Sequence, residues 1–427
     1  MSNMTRRNFI KVIGGATAAS LAGFPMIAQG SSKGRVVVIG GGYGGATAAK
    51  YLRLADSGIQ VTLIEKSSGY VSCPMSNEVL GGERHFDSLR VSYNSLSTRH
   101  GIEVVHGEVT DIDPVKKNVQ TASGQNFQYD RLIVSPGVDF RWGAIEAYDQ
   151  QAVEVMPHAW FAGPQTLLLQ RQLEAMSDGG VVIIVAPPNP FKCPPGPYER
   201  ASQIAHYLKH HKPKSKLLIL DHKDKFSKQG LFKQGWAQHY PNIITWVAGS
   251  LDGRVYTVEP SSMTVFTEFE EHKGDVINVI PPQQAGQIAR RAGLTDKSGW
   301  CPVDQKTFES TIHKDVHVIG DASIAGKMPK SGYAANSQGK VCAAAVAALI
   351  NGNAVAEPSY VNTCYSVIAP KHGISVAAVY QLNDEGKIVG VKGAGGLSPM
   401  DASPWEREME AMHAYSWFHN IKSDSFR

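Results

Sequence analysis

The 427-residue sequence has little net charge and few cysteines. Its 42 Lys and Arg against 38 Asp and Glu are too evenly balanced for a nucleic-acid-binding protein. Its five cysteines are too few, and odd in number, for a disulfide scaffold. There is no Cys-x-x-Cys-His motif, so no c-type haem is expected on this chain. Apolar residues make up 42% and charged residues 19%, which excludes a disordered or fibrous chain, and the length predicts two or three domains.

The first 30 residues predict an export signal. Thr5–Lys11 reads TRRNFIK, an apolar but Gly- and Ala-diluted run follows to Ala28, and Ala28-Gln29-Gly30 offers a small-residue cleavage site. This pattern is typical of the twin-arginine route, which carries folded proteins, so we expect a periplasmic protein. The alternative is an N-terminal membrane anchor, for which the run is short. No later segment is apolar enough to cross a membrane, so stable membrane insertion is not expected.

A dinucleotide-binding motif follows the leader. Val36–Ala49 reads VVVIGGGYGGATAA, an apolar strand that runs into a glycine-rich turn and a helix of small residues. Gly40 permits the tight turn, Gly42 lets a pyrophosphate approach the backbone, and Gly45 lets the helix pack on the strand. Glu65 ends the next predicted strand and is placed to accept hydrogen bonds from a ribose. A purely structural glycine turn would not account for this glutamate.

Two further elements predict FAD as the dinucleotide and a discontinuous first domain. Tyr129–Gly137 reads YDRLIVSPG and Asp315–Ser323 reads DVHVIGDAS, two strands that end in small, turn-forming loops. Flavoproteins with two dinucleotide-type domains use such elements to close around FAD, with an aspartate, here Asp321, on the ribityl chain. The two elements lie far apart in the sequence. A second domain is therefore inserted between the two parts of the FAD-binding domain.

The predicted fold class is α/β, with two Rossmann-like domains of the FAD/NAD(P)-binding type and a C-terminal α+β interface domain. Four segments are assigned: a signal peptide over residues 1–30; the FAD-binding domain over 31–144 and 266–350; the second Rossmann-like domain over 145–265; and the C-terminal domain over 351–427.

The second domain has the frame of a nucleotide site but not its phosphate loop. Gly179–Pro188 and Lys216–Asp221 read as strands, and a helix is predicted near Tyr198–His211. The loop before that helix, Pro187–Pro197, reads PPNPFKCPPGP. Proline has no N–H to give a phosphate, so the loop is not expected to bind NADH.

The proline-rich loop carries Cys193, and Glu199 follows six residues later. A cysteine at the place where a nicotinamide would face the flavin suggests redox chemistry, which needs a second thiol. Cys364, in the sequence VNTCYS, is one candidate partner. Spacing alone leaves the pairing open, and two unrelated buried thiols are the alternative. Cys301 and Cys342 are interpreted as buried thiols without chemistry. No histidine spacing suggests a metal site, so no metal is expected.

Five stretches resemble one known family. They are Gly69–Gly82 (GYVSCPMSNEVLGG), Phe191–Ser202 (FKCPPGPYERAS), Trp300–Ser310 (WCPVDQKTFES), Met328–Lys340 (MPKSGYAANSQGK) and Val361–Ser366 (VNTCYS). Over essentially the whole chain after the leader, they resemble the flavoprotein subunit of flavocytochrome c sulfide dehydrogenase, a relative of the sulfide:quinone oxidoreductases in the pyridine nucleotide-disulfide oxidoreductase superfamily. Two departures are Pro74, where an aromatic residue is expected, and Cys342, where a small aliphatic residue is more usual.

The resemblance implies roles for particular residues. Cys73 would be joined by a thioether to the 8α-methyl carbon of FAD, and Cys193 and Cys364 would form a redox-active disulfide with Glu199 as proton carrier. Pro329–Gly332 would begin a helix whose N-terminus faces the flavin pyrimidine. The expected cofactor-binding residues are Gly40, Gly42, Gly45, Glu65, Cys73, Val109, Pro136, Gly320, Asp321, Lys330, Ser331 and Gly332.

The implied activity is oxidation of sulfide to sulfane sulfur or polysulfide. The implied partner is a c-type cytochrome subunit that carries the haem. A membrane-associated sulfide:quinone oxidoreductase is the first alternative, although Pro404–Arg427 lacks the apolar amphipathic pattern expected of a membrane-binding tail. A non-enzymatic flavin-binding electron-transfer or assembly protein is the second alternative. An NADH dehydrogenase is disfavoured by the proline-rich loop.

Overall fold

Five parallel strands form the sheet of the FAD-binding domain in the computed structural model, which describes residues 33–427. The signal predicted for residues 1–30 lies outside the described residues. In spatial order the strands are Val316–Val318, Arg131–Val134, Gly34–Ile39, Ile59–Glu65 and Glu103–His106. The first two of these strands pair although more than 180 residues separate them in the sequence, so this sheet is built from two distant stretches of the chain.

Two helices, Tyr43–Ala55 and Gly332–Ile350, pack closely on each other beside this first sheet. Their contact is made by small residues, because a Cβ on Gly339 would lie 2.7 Å from the carbonyl oxygen of Gly44. The helix Gly332–Ile350 is rich in alanine, which allows the two backbones to approach. This contact brings the start of the long helix beside the glycine-rich turn.

A second parallel sheet forms the inserted domain. Its strands are, in order, Ile244–Val247, Lys216–Asp221, Val181–Ala186 and Val276–Val279. Its helices are Pro164–Ala175, Gly196–His211 and Gln229–His239. Because Val276–Val279 pairs with Val182–Val185, the domain extends beyond the boundary expected at residue 265. This short buried strand has no sequence pattern of its own, and it follows a small antiparallel sheet of Thr257–Glu259, Thr264–Phe266 and Glu271–Lys273.

The remaining short elements connect the two sheets or cover them. Val138–Phe140 and Gln283–Ala285 pair antiparallel where the chain leaves the first domain and returns to it. The other short strands are Gly69–Val71, Arg90–Ser92, Val109–Asp113, Asn118–Thr121 and Asn126–Gln128. The short helices are Asn77–Leu80, Asn94–His100 and Gln287–Arg291, with single 3-10 turns at Phe86–Leu89, Ala152–Glu154, Gly249–Leu251, Pro260–Ser262 and Gly320–Ala322.

The C-terminal region is a three-stranded antiparallel sheet followed by a helix. The strands are Ser359–Ala369, His372–Leu382 and Ile388–Leu397, and the C-terminal helix is Pro404–Phe426. Ser403 caps this helix and Glu406 completes a capping box. Within residues 33–427, no helix has the length and apolarity needed to span a membrane. These elements confirm the predicted α/β fold with an α+β C-terminal part.

The contact between the two long helices predicts the effect of one substitution. Gly339→Ala places a methyl group 2.7 Å from the Gly44 carbonyl oxygen, so the helices must separate. We expect a net loss of about 1–2 kcal/mol in the free energy of unfolding, because overpacking outweighs the helix preference of alanine. Denaturant unfolding checks this value. Gly390→Ala is the control, since a Cβ there meets nothing within 4 Å, and equal stability of the two variants would contradict the packing argument.

Candidate functional site

The glycine-rich turn has the geometry expected for a dinucleotide. Gly40 has a φ of +92°, and a Cβ on Gly45 would collide with the Gly40 carbonyl oxygen. Gly42 is the N-cap of the helix that follows. The Gly41 N–H donates to Glu65 Oε2 at 2.7 Å, so the glutamate lies beside the turn. The structure thus brings these predicted glycines and Glu65 together.

Two further predicted residues lie at the same end of the first sheet. Val109 begins a strand two residues after Gly107, whose N–H donates to the Glu65 carbonyl at 3.0 Å. Pro136 follows the strand Arg131–Val134 and packs on Gly286, where a Cβ would lie 2.6 Å from the Pro136 carbonyl oxygen.

Asp321 has a carboxylate oxygen that requires a partner. Its Oδ1 is buried and has no hydrogen-bond partner among residues 33–427. Burial raises the pKa of this carboxyl group, and Lys192 and Lys330 oppose the rise. Gly320, with a φ of +74°, provides the backbone freedom that the turn before Asp321 requires. A buried acceptor without a partner beside a dinucleotide motif fits a hydroxyl group of a bound FAD.

Lys330 and the residues after it form the start of the long helix. Lys330 Nζ donates to the carbonyl oxygens of Asp321 and Ser323 at 2.7 and 3.0 Å, and burial lowers its pKa to about 8. Ser331 is the N-cap, and its Oγ accepts from the Ala334 N–H at 3.0 Å. The helix begins at Gly332, as predicted.

Cys73 lies in a loop that contacts the start of this helix. A Cβ on Gly332 would lie 3.6 Å from Pro74 Cγ, so the unexpected proline packs where the helix begins. Lys192 Nζ donates to Cys73 Sγ at 3.3 Å and to the Trp160 carbonyl oxygen at 2.7 Å. Both neighbours of the sulfur come from the inserted domain, so no local motif predicted them.

Cys193 is fixed between the two domains. Its N–H donates to the Lys330 carbonyl oxygen at 2.7 Å, and its φ of +57° is left-handed. A Cβ on Gly196 would lie 3.1 Å from Cys193 Sγ and 2.6 Å from the Trp160 ring. The sulfur and the indole therefore cover the N-terminus of the helix Gly196–His211.

Cys364 lies within electrostatic range of Cys193. Both are free thiols, and a charge on Cys364 would raise the pKa of Cys193, whose thiol pKa burial already raises well above its ordinary value. Burial also raises the pKa of Cys364, and Lys228 opposes this rise. Cys364 lies in the strand Ser359–Ala369, which is docked on the inserted domain by a 2.7 Å hydrogen bond from Gln203 Nε2 to the Val367 carbonyl.

Glu199 and Lys228 lie near the two thiols, and the four residues Cys193, Cys364, Glu199 and Lys228 are called the thiol pocket below. Glu199 is 8% exposed, and burial raises the pKa of its carboxyl group to about 7 although Lys228 opposes the rise. Lys228 is 4% exposed and donates to the Cys364 carbonyl oxygen at 3.2 Å and to Ser366 Oγ at 2.8 Å. No motif signals Lys228, which follows a polar loop and has a left-handed φ of +61°.

Arg200 is a second buried cation that no motif predicted. Its guanidinium donates to Asn77 Oδ1, Asn278 Oδ1 and the carbonyl oxygens of His158 and Ala159, all of them neutral acceptors. Burial lowers its pKa to about 10, and charges on Cys73, Cys193 and Glu199 oppose that change. Its positive charge is therefore available to anionic sulfur.

The other thiols take no part in this pocket. Cys301 and Cys342 are both fully buried, and burial raises the pKa of Cys301 to about 12. Among residues 33–427, one group of possible metal ligands comprises Asp252, Glu270 and His272. The Asp252 carboxylate already accepts from Thr267 Oγ1 and from backbone N–H groups of the same loop, so it has a structural role.

A cavity of about 460 Å³ lies between the long helix and the C-terminal helix. Tyr333, Tyr365 and Trp417 are among its lining residues. The Trp417 ring centroid lies 6.2 Å from that of Tyr333 and 6.1 Å from that of Tyr365, the residue after Cys364. Trp417 thus packs between the helix start and the Cys364 strand.

Comparisons with known proteins agree with this geometry. Residues 166–281 match the central domain of the sulfide dehydrogenase [flavocytochrome c] flavoprotein chain, residues 356–426 match the flavin-binding domain of flavocytochrome c sulphide dehydrogenase, and residues 34–156 match the pyridine nucleotide-disulphide oxidoreductase model. The sulfide dehydrogenase flavoprotein chain of Chlorobaculum thiosulfatiphilum is 60% identical over 45 residues, which are 10% of this chain and 94% of that sequence.

More distant relatives cover more of the chain. The mitochondrial sulfide:quinone oxidoreductase of Mus musculus is 22% identical over 297 residues, 67% of this chain and 65% of that protein. The chain thus spans about 65% of the length of this curated relative. The structure of the sulfide:quinone oxidoreductase from Aquifex aeolicus matches with a TM-score of 0.71 and 18% identity, and covers 91% of this chain and 92% of that one.

The predicted flavin cofactor agrees with these matches and with the glycine turn, Glu65 and the unpartnered Asp321 oxygen. The chain belongs to the pyridine nucleotide-disulphide oxidoreductase family, in the group formed by flavocytochrome c sulfide dehydrogenase flavoproteins and sulfide:quinone oxidoreductases.

Proposed function

We propose that this chain is a sulfide dehydrogenase flavoprotein. It would oxidise sulfide to sulfane sulfur or polysulfide through a Cys193–Cys364 disulfide and pass the electrons to a c-type cytochrome partner. One observation carries the proposal: two half-buried thiols from different domains lie within electrostatic range of each other and of the buried side chains Glu199 and Lys228. Sulfide chemistry needs this combination of a sulfur pair, a proton carrier and a cation.

The residues described above would hold FAD along the first domain. Glu65 and the glycine turn suit its nucleotide end, Asp321 its ribityl chain, and Cys73 would form a covalent thioether with its 8α-methyl carbon. Bound FAD would supply the acceptor for an electron pair and could release the two electrons singly.

The two thiols would act through disulfide exchange. Hydrosulfide attacks one sulfur of the disulfide, so one S–S bond forms, another breaks, and one cysteine leaves as a thiolate. The other cysteine then carries a persulfide. A second hydrosulfide can attack the persulfide and release the sulfane sulfur as a polysulfide, which leaves both cysteines reduced. Their electron pair would pass to bound FAD as the disulfide forms again.

The buried charged groups around the thiols would stabilise thiolates and transfer protons. Lys228 opposes the rise in the Cys364 pKa and so favours its thiolate. Arg200 places a second positive charge near Cys193. Glu199, with a pKa of about 7, can hold or release a proton near neutral pH.

Two features of the chain support a cytochrome over other electron-transfer partners. The proline-rich loop and the Cys193 sulfur cover the helix end where NADH phosphates would bind. The C-terminal helix buries its apolar residues Ala414, Phe418 and Ile421 against its own chain, which does not favour a bilayer-bound quinone reductase. A periplasmic c-type cytochrome fits the predicted export signal.

The first prediction for this function concerns flavin reduction. Anaerobic sulfide titration should bleach the flavin absorbance of the wild-type protein, and Cys193→Ser should abolish bleaching because no disulfide remains to be attacked. Cys342→Ala is the matched control and should titrate like the wild type, since Cys342 is buried in the long helix. Unchanged bleaching of Cys193→Ser would sink the disulfide mechanism.

The second prediction concerns the electron acceptor. The purified protein with sulfide should reduce a soluble c-type cytochrome and should be recovered in the soluble fraction. A steady-state assay compares the cytochrome with a short-chain ubiquinone analogue. Preferential quinone reduction, with recovery in membranes, would favour the sulfide:quinone oxidoreductase alternative instead.

The third prediction concerns Glu199. Its pKa of about 7 lies above the unfolded value, so the folded state binds this proton more tightly and wild-type stability falls as the pH rises from about 4.5 to 7. Glu199→Gln removes this loss. Between about pH 4 and pH 8, the free energy of unfolding of the variant should therefore gain about 2–4 kcal/mol relative to that of the wild type. Glu174→Gln, at an exposed position, is the control substitution, and a difference for Glu199→Gln that does not change with pH would contradict the prediction.

A further inference from the structure

Lys192 precedes Cys193 in the sequence, but its side chain contacts the sulfur of Cys73 instead. Its ammonium lies 3.3 Å from Cys73 Sγ and 2.7 Å from the Trp160 carbonyl oxygen. The Cys73 sulfur itself lies 3.8 Å from that same carbonyl oxygen. The ammonium therefore gives the sulfur a cationic hydrogen-bond donor, while the S–H group of Cys73 can donate to the carbonyl oxygen.

The backbone around Lys192 holds this arrangement in place. The Lys192 N–H donates to Gln283 Oε1 at 2.8 Å, and the next N–H, that of Cys193, donates to the Lys330 carbonyl at 2.7 Å. The Lys192 ammonium also lies 4.8 Å from the centre of the Phe161 ring. Hydrogen bonds on both sides of the residue and a cation–π contact therefore direct its side chain toward Cys73.

Two cationic side chains, those of Lys192 and Arg200, lie near the Cys73 sulfur. Arg200 interacts with a charge on Cys73, and within the described part of the chain its own hydrogen-bond acceptors are carbonyl and amide oxygens rather than carboxylates. A thiolate beside ammonium and guanidinium groups is the nucleophilic form of cysteine.

We propose that the chain attaches its own flavin, and that Lys192 is the catalytic residue that presents Cys73 as a thiolate. This inference rests on the proposed covalent FAD at Cys73. It adds a second reaction, which occurs once in the life of each protein molecule and is separate from sulfide turnover.

The attachment step balances without an added enzyme. The Cys73 S–H and one C–H of the 8α-methyl group lose their protons, and a C–S bond forms between Cys73 Sγ and that carbon. The electron pair of the broken C–H bond stays on the isoalloxazine, which takes up the two protons as dihydroflavin. Dioxygen or a one-electron haem acceptor then reoxidises the ring.

The experiment measures attachment directly rather than turnover. The full-length chain is expressed in a riboflavin-requiring host, flavin is supplied as a pulse, and samples are denatured at intervals. Fluorescence of the protein band reports covalent flavin, and flavin in the supernatant reports non-covalent FAD. Lys192→Met should slow attachment about tenfold or more while non-covalent FAD accumulates, and Lys192→Arg should retain most of the rate.

Lys223→Met is the matched control. Lys223 contacts the same loop through the Pro187 carbonyl oxygen and the Phe191 ring, so its loss disturbs loop packing without removing the donor to Cys73. It should attach flavin at the wild-type rate. Attachment by Lys192→Met at the wild-type rate would overturn the inference. If Lys192→Met binds neither covalent nor non-covalent FAD, the Lys192→Arg variant provides the test. Rapid covalent attachment by that variant supports the inference. Non-covalent FAD without attachment contradicts it.

Cys73→Ser separates this inference from the proposed function. Covalent flavin on Cys73→Ser would show that the attachment site itself was wrongly assigned. Loss of covalent flavin in Cys73→Ser, together with normal attachment in Lys192→Met, would contradict the role of Lys192 alone.

Discussion

A single hydrogen bond between domains organises the site: the Cys193 N–H donates to the Lys330 carbonyl at 2.7 Å. Lys330 precedes the long helix and also donates to the Asp321 carbonyl, so the same residue connects the loop of the second domain to the cofactor-binding end of the first. Together with the bond from the Lys192 N–H to Gln283 Oε1, the Cys193 hydrogen bond fixes the backbone of the loop that carries Lys192 and Cys193, and from which Lys192 reaches Cys73. Both sulfur sites therefore depend on the position of this loop backbone.

This arrangement buries two positive charges, which is energetically unfavourable for the folded state. Lys228 and Arg200 are 4% and 3% exposed, and the hydrogen bonds that they donate within residues 33–427 go to neutral oxygens. Buried cations are unfavourable unless they are hydrogen-bonded and paired with negative charge. Carbonyl, amide and hydroxyl oxygens supply the hydrogen bonds here. The buried Glu199 carboxylate interacts favourably with both cations, and an anionic sulfur species in the proposed reaction would add to that compensation.

Those parts of the site that lie within one local motif could be predicted from the sequence. The glycine turn and Glu65 follow from the strand–loop–helix pattern, whereas Asp321 and the start of the long helix follow from the likeness to known flavoproteins. Three cations could not be identified in that way: Lys192, Arg200 and Lys228. Each interacts with a cysteine that is distant in sequence or in another domain, and a local motif does not reveal such an interaction. The extension of the second domain past residue 265 was missed for a related reason, since the strand Val276–Val279 is four residues long and is defined only by its partner strand.

The proline-rich loop occupies the part of the βαβ unit where a nucleotide phosphate would otherwise bind. In a βαβ unit the helix N-terminus attracts a phosphate through free N–H groups. Here Pro195 and Pro197 remove N–H donors at that end, and the Trp160 ring and the Cys193 sulfur pack against Gly196. The left-handed φ of Cys193 turns its sulfur back over the helix start, at the place a phosphate would take. The residues that leave no room for a phosphate therefore also position a thiol, and the proposed sulfur chemistry uses the place where a nucleotide phosphate would otherwise bind.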